Sequence, residues 1–294
     1  MAQQRSKGPV MTARDLEAEY NNRARVPDHP AHQARWASAS ADMRQTSNAA
    51  LDRAYGSSPR QKYDLFTPKG LGNSAPLVVY IHGGYWQRGE RIDNAFVARE
   101  FVAHGVAVAV VGYTLCPEVG VMDIVGELRR ALKSLWETTK QTPVVVGHSA
   151  GGHLAAALLA TDWSTVGGVP TDLVRAAYAI SGVFDVAPLL STSLNDLVKL
   201  DAATAKAASP VYWPPPPKDR TFVAAVGGDE SQEFIRQSLE ITGVWSGAGV
   251  KAECVVVPGT NHFTILDELA NADSAMVARV AGLARACAAS RKGT

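Results

Sequence analysis

Gly147-His148-Ser149-Ala150-Gly151 sets a serine between two glycines. The apolar run 143–146 precedes it, and Gly152-His153-Leu154-Ala155-Ala156-Ala157-Leu158-Leu159, which reads as a helix, follows. Strand, G-x-S-x-G and helix is the setting of a nucleophile elbow, in which small residues let the backbone turn sharply and hold the hydroxyl clear of a sheet. The implied chemistry is acyl transfer, and a serine hydroxyl needs a base to accept its proton.

Seven histidines are available for that role, of which His82 links the run 77–81 to Gly83. His29 and His32 lie in a proline-punctuated region and His104 ends an expected helix. His148 and His153 flank the serine, where the elbow is expected to turn them away from it. His262 sits on the loop Pro258-Gly259-Thr260-Asn261-His262-Phe263, just beyond the apolar run 252–257. Loops at the carboxyl ends of parallel strands are where such sheets place their active sites.

The base in turn needs a carboxylate to fix its tautomer and stabilise its cation. Asp229 follows the run 221–226 through Gly227-Gly228 and is the expected acid. Glu230 beside it, and Asp185 beyond Ser181-Gly182-Val183-Phe184, are rivals. The order Ser149, Asp229, His262 is nucleophile, acid, histidine. Donors for the tetrahedral oxyanion are expected from Gly83 and Gly84, which follow the run 77–81 through His82, and from the amide of Ala150. Losing one such donor costs about 3–4 kcal/mol at comparable sites.

The elements that must hold these groups alternate in period. Residues 62–66 alternate polar and apolar, as an outer antiparallel strand does. Runs 77–81, 106–111, 143–146, 175–180, 221–226 and 252–257 are continuous enough to be strands covered on both faces. Helices are expected over 94–104, 121–139, 152–159, 231–246 and 273–289. Strand–helix alternation of this kind predicts an α/β fold, a mostly parallel central sheet with helices on both faces. Residues 1–50 read as an N-terminal helical extension capping a single domain over 51–294. Residues 184–219 read as an irregular, lid-like insertion ending in Trp213-Pro214-Pro215-Pro216-Pro217. A proline run cannot be a helix or a central strand, so a stiff loop beside the site is expected.

The 294 residues are 46% hydrophobic and 19% charged, with a net charge of +1. That is the composition of a globular chain with a sizeable core, and it gives no electrostatic reason to expect nucleic acid or an anionic membrane. Cys116, Cys254 and Cys287 lack metal-type spacing and read as reduced packing residues. Residues 1–25 carry no apolar core for a signal peptide, and no apolar stretch reaches membrane-spanning length. A cytoplasmic enzyme acting on a small molecule, with no metal and no cofactor, fits these features; a homodimer is left open.

His82-Gly83-Gly84-Tyr85-Trp86, taken with the serine motif, resembles the α/β-hydrolase form of kynurenine formamidase (arylformamidase), near the hormone-sensitive-lipase-like esterases. Those esterases carry a third glycine where this chain has Tyr85. The segments 228–234 and 261–263 resemble the acid and histidine segments of the family, and the likeness spans about residues 50–290. It implies an α/β-hydrolase fold and a serine hydrolase that cleaves a small aryl formamide or related amide through an acyl-enzyme. A carboxylesterase of short-chain or aryl esters is the alternative, and a non-catalytic receptor a remoter one. It also implies that Tyr85 and Trp86 line an aryl pocket. Arg88 and Arg91 are candidates for a substrate carboxylate.

Overall fold

The computed structural model describes residues 12–290. Residues 1–11 of the expected extension and residues 291–294 lie outside the described residues. Eight strands form one sheet: β1 (Ala49–Ala54), β2 (Lys62–Phe66), β3 (Leu77–Ile81), β4 (Ala107–Val111), β5 (Val144–His148), β6 (Ala176–Ile180), β7 (Thr221–Gly227) and β8 (Lys251–Val257). Their order is β1-β2-β4-β3-β5-β6-β7-β8. β1 and β2 run antiparallel, and every pairing from β4 through β8 is parallel.

Ten helices accompany the sheet among the described residues. α1 (Ala13–Tyr20), α2 (Asn22–Arg25) and α3 (His29–Thr46) precede it. α4 (Ala98–Ala103), α5 (Val121–Thr139) and α6 (Ala150–Leu159) follow β3, β4 and β5. α7 (Asn195–Val198) and α8 (Ala202–Ala207) lie in the irregular region, and α9 (Gln232–Gly247) and α10 (Ala275–Ser290) follow β7 and β8.

Side chains alternate across a strand, so each strand feeds two cores. Leu77, Val79 and Ile81 of β3 join α5, α6 and α9 on one face. Val78 and Tyr80 join Trp36 and Met43 of α3, Phe101 of α4 and Val277 and Val280 of α10 on the other. Helix α5 covers the whole stretch expected from its spacing, because Ile124, Val125, Leu128, Leu132 and Leu135 form one continuous buried stripe.

The structure departs from expectation in three places. Residues 49–54 are a strand, which the sequence reading does not anticipate and which begins inside the expected helical extension 1–50. This edge strand pairs only with β2 and exposes most of its side chains, so it carries no apolar signature. Residues 94–104 are not one helix: a 3-10 segment, Arg91–Val97, runs into the shorter α4. β8 is not covered on both faces, and Val255 and Val256 are 37% and 46% exposed at the far edge of the sheet.

The N-terminal helices pack on the core at two points. Trp36 stacks on Phe96 at 5.7 Å and on Phe263 at 6.3 Å between ring centroids. Tyr20 is buried, donating its hydroxyl to Glu233 at 2.7 Å and accepting from Gln237 at 2.6 Å.

Candidate active site

Ser149 stands between β5 and α6 with φ 56° and ψ −119°, a conformation that L side chains rarely adopt. Its neighbours make the turn feasible. A Cβ on Gly147 would lie 2.0 Å from the carbonyl oxygen of Gly151, and one on Gly151 would lie 2.0 Å from that of Ile81. Only glycine fits at either place, which is the steric content of the motif. The Ser149 amide bonds the Ile180 carbonyl at 2.8 Å, so the elbow is pinned to β6.

His262 lies on the loop after β8, 5% exposed. Its Nδ1 is 2.7 Å from Oε2 of Glu230, whose side chain is fully buried. The other carboxylate oxygen accepts from the Ser181 hydroxyl at 2.5 Å and the Gly227 amide at 2.7 Å. Glu230 is thus held at both oxygens and aimed at one ring nitrogen. That fixes Nδ1 as the protonated atom and leaves Nε2 as the basic one.

The expected acid, Asp229, is corrected by this arrangement. It is exposed, and its backbone amide bonds the Thr260 carbonyl at 3.0 Å. Residues 227–230 form a turn closed by the Glu230 amide on the Gly227 carbonyl at 3.2 Å. Asp229 occupies the outer corner of that turn, and the next residue returns over the sheet edge. The rival Asp185 accepts from the Ala187 amide and the Tyr212 hydroxyl, each at 3.0 Å, and so organises its own loop.

His148 reaches the site after all. Its Nε2–H donates to the backbone carbonyl of His262 at 2.8 Å, and the two rings lie 4.7 Å apart. Burial, then the neighbouring His262, push its pKa well below the ordinary value, so it is neutral. His82 stacks on Tyr113 at 4.4 Å and donates from Nδ1 to the Gly83 carbonyl at 2.8 Å; burial pushes its pKa down to about 4.

The turn after β3 presses against the serine. A Cβ on Gly83 would lie 2.8 Å from the His148 carbonyl oxygen and 2.9 Å from Cβ of Ser149. Gly84 has φ 112°, and a side chain there would strike the Arg88 backbone. Ala150 opens α6, so its amide has no intrahelical partner.

Ser149, His262, Gly83, Gly84 and Tyr85 all face one cavity of about 780 Å³. The N-terminal helices supply much of its wall, including Tyr20, Arg23 and Trp36; Ser193 and Leu194 close another side. Sequence reasoning missed these residues, because nothing in a helical pattern says which loop it will cover. Tyr85 is 8% exposed and donates its hydroxyl to the Tyr20 carbonyl at 2.7 Å. Trp86 is corrected: it is fully buried, sits edge-on to His153 at 4.9 Å and does not line the cavity. The proline run 214–217 does not line it either. Arg91 is bound to Asp52 and lies 3.6 Å from Asp64, leaving Arg88 as the arginine of the expected pair that faces the cavity.

Comparison with known proteins matches this geometry to a family. The BD-FAE family model matches residues 63–189. Kynurenine formamidase of Salmo salar is 36% identical over 231 residues, covering 76% of this chain and 78% of the relative. The Drosophila melanogaster kynurenine formamidase is 30% identical over 227 residues, covering 73% and 75%. The chain belongs to the kynurenine formamidase family. Among solved structures, a provisionally named thioesterase from Silicibacter sp. TM1040 is 32% identical with a TM-score of 0.82, covering 90% of this chain and 98% of that one. An esterase from Pyrobaculum calidifontis, 17% identical, shares the fold with a TM-score of 0.68 over 94% and 93%. This kynurenine formamidase relative is therefore a hydrolase with the α/β-hydrolase fold. Among the described residues no helix is long and apolar enough to cross a membrane.

Proposed function

We propose that the chain is a serine-dependent hydrolase that cleaves a small aryl formamide or a related amide through an acyl-enzyme. The observation that carries this reading is the fixed pair of Glu230 and His262 at 2.7 Å, facing the cavity that Ser149 also faces. Ser149 Oγ attacks the formyl carbon while Nε2 of His262 takes its proton, and the cation formed is balanced by Glu230. The amides of Gly83, Gly84 and Ala150 receive the oxyanion. When the C–N bond breaks, His262 returns the proton to the departing aryl amine. Water then attacks the formyl-serine with His262 again as base, releasing formate and restoring the hydroxyl.

Kynurenine formamidase relatives support the formamide, and a cavity of this volume suits an aryl ligand. The same groups would cleave an ester. That second reading is favoured by the isoprenylcysteine α-carbonyl methylesterase of Oryza sativa, 23% identical over 239 residues. We place the enzyme in the cytoplasm, where its three cysteines would stay reduced thiols.

Kinetics on N-formylkynurenine and p-nitrophenyl acetate test both readings. A kcat/KM higher by orders of magnitude for the formamide is expected, and the reverse ratio would favour the esterase. Retention of full activity by Ser149→Ala would overturn the serine mechanism.

A further inference from the structure

Two of the few residues other than glycine with a positive φ are serines that leave neighbouring strands. Ser149 leaves β5 with φ 56°, and Ser181 leaves β6 with φ 51°. The parallel extends to the backbone. The Ser149 amide bonds the Ile180 carbonyl at 2.8 Å, and the Ser181 amide bonds the Ala225 carbonyl at 2.7 Å. Ser149 is the candidate nucleophile, whereas Ser181 takes no part in the acyl transfer derived above. It is nevertheless held fully buried in a conformation that L side chains rarely adopt. Such a backbone suits glycine, so the hydroxyl at this position answers to something other than the turn.

What that hydroxyl touches is Glu230. It donates to Oε1 at 2.5 Å, its one polar side-chain contact among the described residues. The Gly227 amide donates to the same oxygen at 2.7 Å, so Oε1 is held from the ends of two adjacent strands, β6 and β7. Oε2 is left for Nδ1 of His262 at 2.7 Å. The last torsion of a glutamate is soft and roughly two-fold, so a single anchor on Oε1 would let the carboxylate plane swing. Two anchors from different strands fix it. Folding makes no comparable use of the Ser181 hydroxyl. The segment beyond it is tied down separately, by the Phe184 and Asp185 amides on the side-chain oxygen of Gln237 at 2.5 and 2.8 Å. Neither Ser181 nor Glu230 lines the cavity, so a ligand there would touch neither.

We propose that Ser181 is a positioning residue for hydrolysis, acting through Glu230 to hold His262 ready for the Ser149 proton. The inference rests on the reading of Ser149, His262 and Glu230 as the hydrolytic centre. Ser181 exchanges no atom with the substrate; its hydroxyl keeps its own proton throughout. Hydrogen bonds to an ionised acceptor are among the strong ones, and this one is spent on the aim of a carboxylate.

The test is a double-mutant cycle, read by the rate at which a fluorophosphonate labels Ser149 and by steady-state hydrolysis of N-formylkynurenine. Labelling reads the serine whatever the substrate. Ser181→Ala should lower the labelling rate and kcat about tenfold to a hundredfold, with KM within about twofold of wild type. Ser181→Gly, which accepts the positive φ without strain, should lose as much. In the Glu230→Gln background, where the carboxylate is already gone, removing the hydroxyl should cost less than about twofold more. A general structural defect would cost the same in both backgrounds. Unchanged labelling in the two Ser181 variants, additive losses around the cycle, or a loss carried by KM overturns the assignment. So does failure of both Ser181 variants to fold, because the hydroxyl would then be a folding contact. Labelling of Glu230→Gln at the wild-type rate would sink the reading of the hydrolytic centre and Ser181 with it. A large loss in Glu230→Gln with none in either Ser181 variant would count against Ser181 alone.

Discussion

His148, the residue before Ser149, donates from its ring to the backbone carbonyl of His262 across 2.8 Å. The elbow therefore carries the loop that presents the candidate base, and the two halves of the site cannot drift independently. Replacing His148 with Phe keeps the bulk and removes the donor. Losing one such hydrogen bond should cost about 1 kcal/mol or somewhat more, which lowers kcat roughly five- to tenfold if it falls on His262 placement. Steady-state kinetics and the rate of fluorophosphonate labelling should fall together. An unchanged labelling rate would show that the clamp does not position the base.

Glu230 and Asp229 are neighbours with opposite surroundings, and exchanging their amides separates them. Glu230→Gln keeps the shape but presents the wrong partner to Nδ1, and a comparable change at a related triad costs about 10⁴-fold in kcat. We expect a loss of about 10³-fold or more. Asp229→Asn should stay within about twofold of wild type, since exposed substitutions away from a site change little. Equal losses in both would remove Glu230 from its assigned role.

Much of this arrangement was readable in the chain. Ser149 and His262 follow strands whose apolar runs are continuous, and a parallel sheet puts strand ends on one edge. The sequence favours Asp229 whereas the structure turns Glu230 toward His262, because a turn, not a strand, decides which of two adjacent carboxylates points inward. No local pattern distinguishes the outer corner of residues 227–230 from the returning arm. Trp86 was misassigned for a related reason: with φ 57° it turns away from the cavity and under the site. The wall from α1 to α3 is hidden from the sequence because contacts such as those of Tyr20 reach residues 65 and 213 positions away.

Stability should decline with acid earlier than carboxylates alone would dictate. His82 and His153 titrate near 4 in the folded chain and His148 well below its ordinary value, chiefly because burial disfavours their cations. Unfolded histidine titrates near 6.5, so between about pH 6.5 and 4 the unfolded chain binds more protons and stability falls as pH falls. At about 1.4 kcal/mol per pH unit, His82 and His153 each remove up to about 3 kcal/mol across that window. Burial would raise Asp52 and Glu233, but arginine partners hold both below their ordinary range. Their contribution is lost only below about pH 4, as they protonate. Urea midpoints should drop clearly from pH 7.5 to 5. A flat profile would mean that these rings are not buried neutral.

Glycine substitutions should divide sharply by place. Gly151→Ala drives a methyl to 2.0 Å of the Ile81 carbonyl oxygen, a contact that only backbone movement can relieve. We expect a loss above about 3 kcal/mol or failure to fold. Gly243→Ala meets nothing within 4 Å on the exposed side of α9 and should stabilise by about 0.5–1 kcal/mol. Thermal melts of the two variants check both directions.

The link from Tyr20 to Glu233 also bears on how the molecule is made. The two residues are 213 positions apart, and a ribosome adds about 5–20 residues per second. Tyr20 therefore leaves the exit tunnel tens of seconds before its partner exists. Helices α1 to α3 are made well before the part of the chain on which Tyr20 closes, so the newborn chain carries an open chamber until Glu233 has emerged.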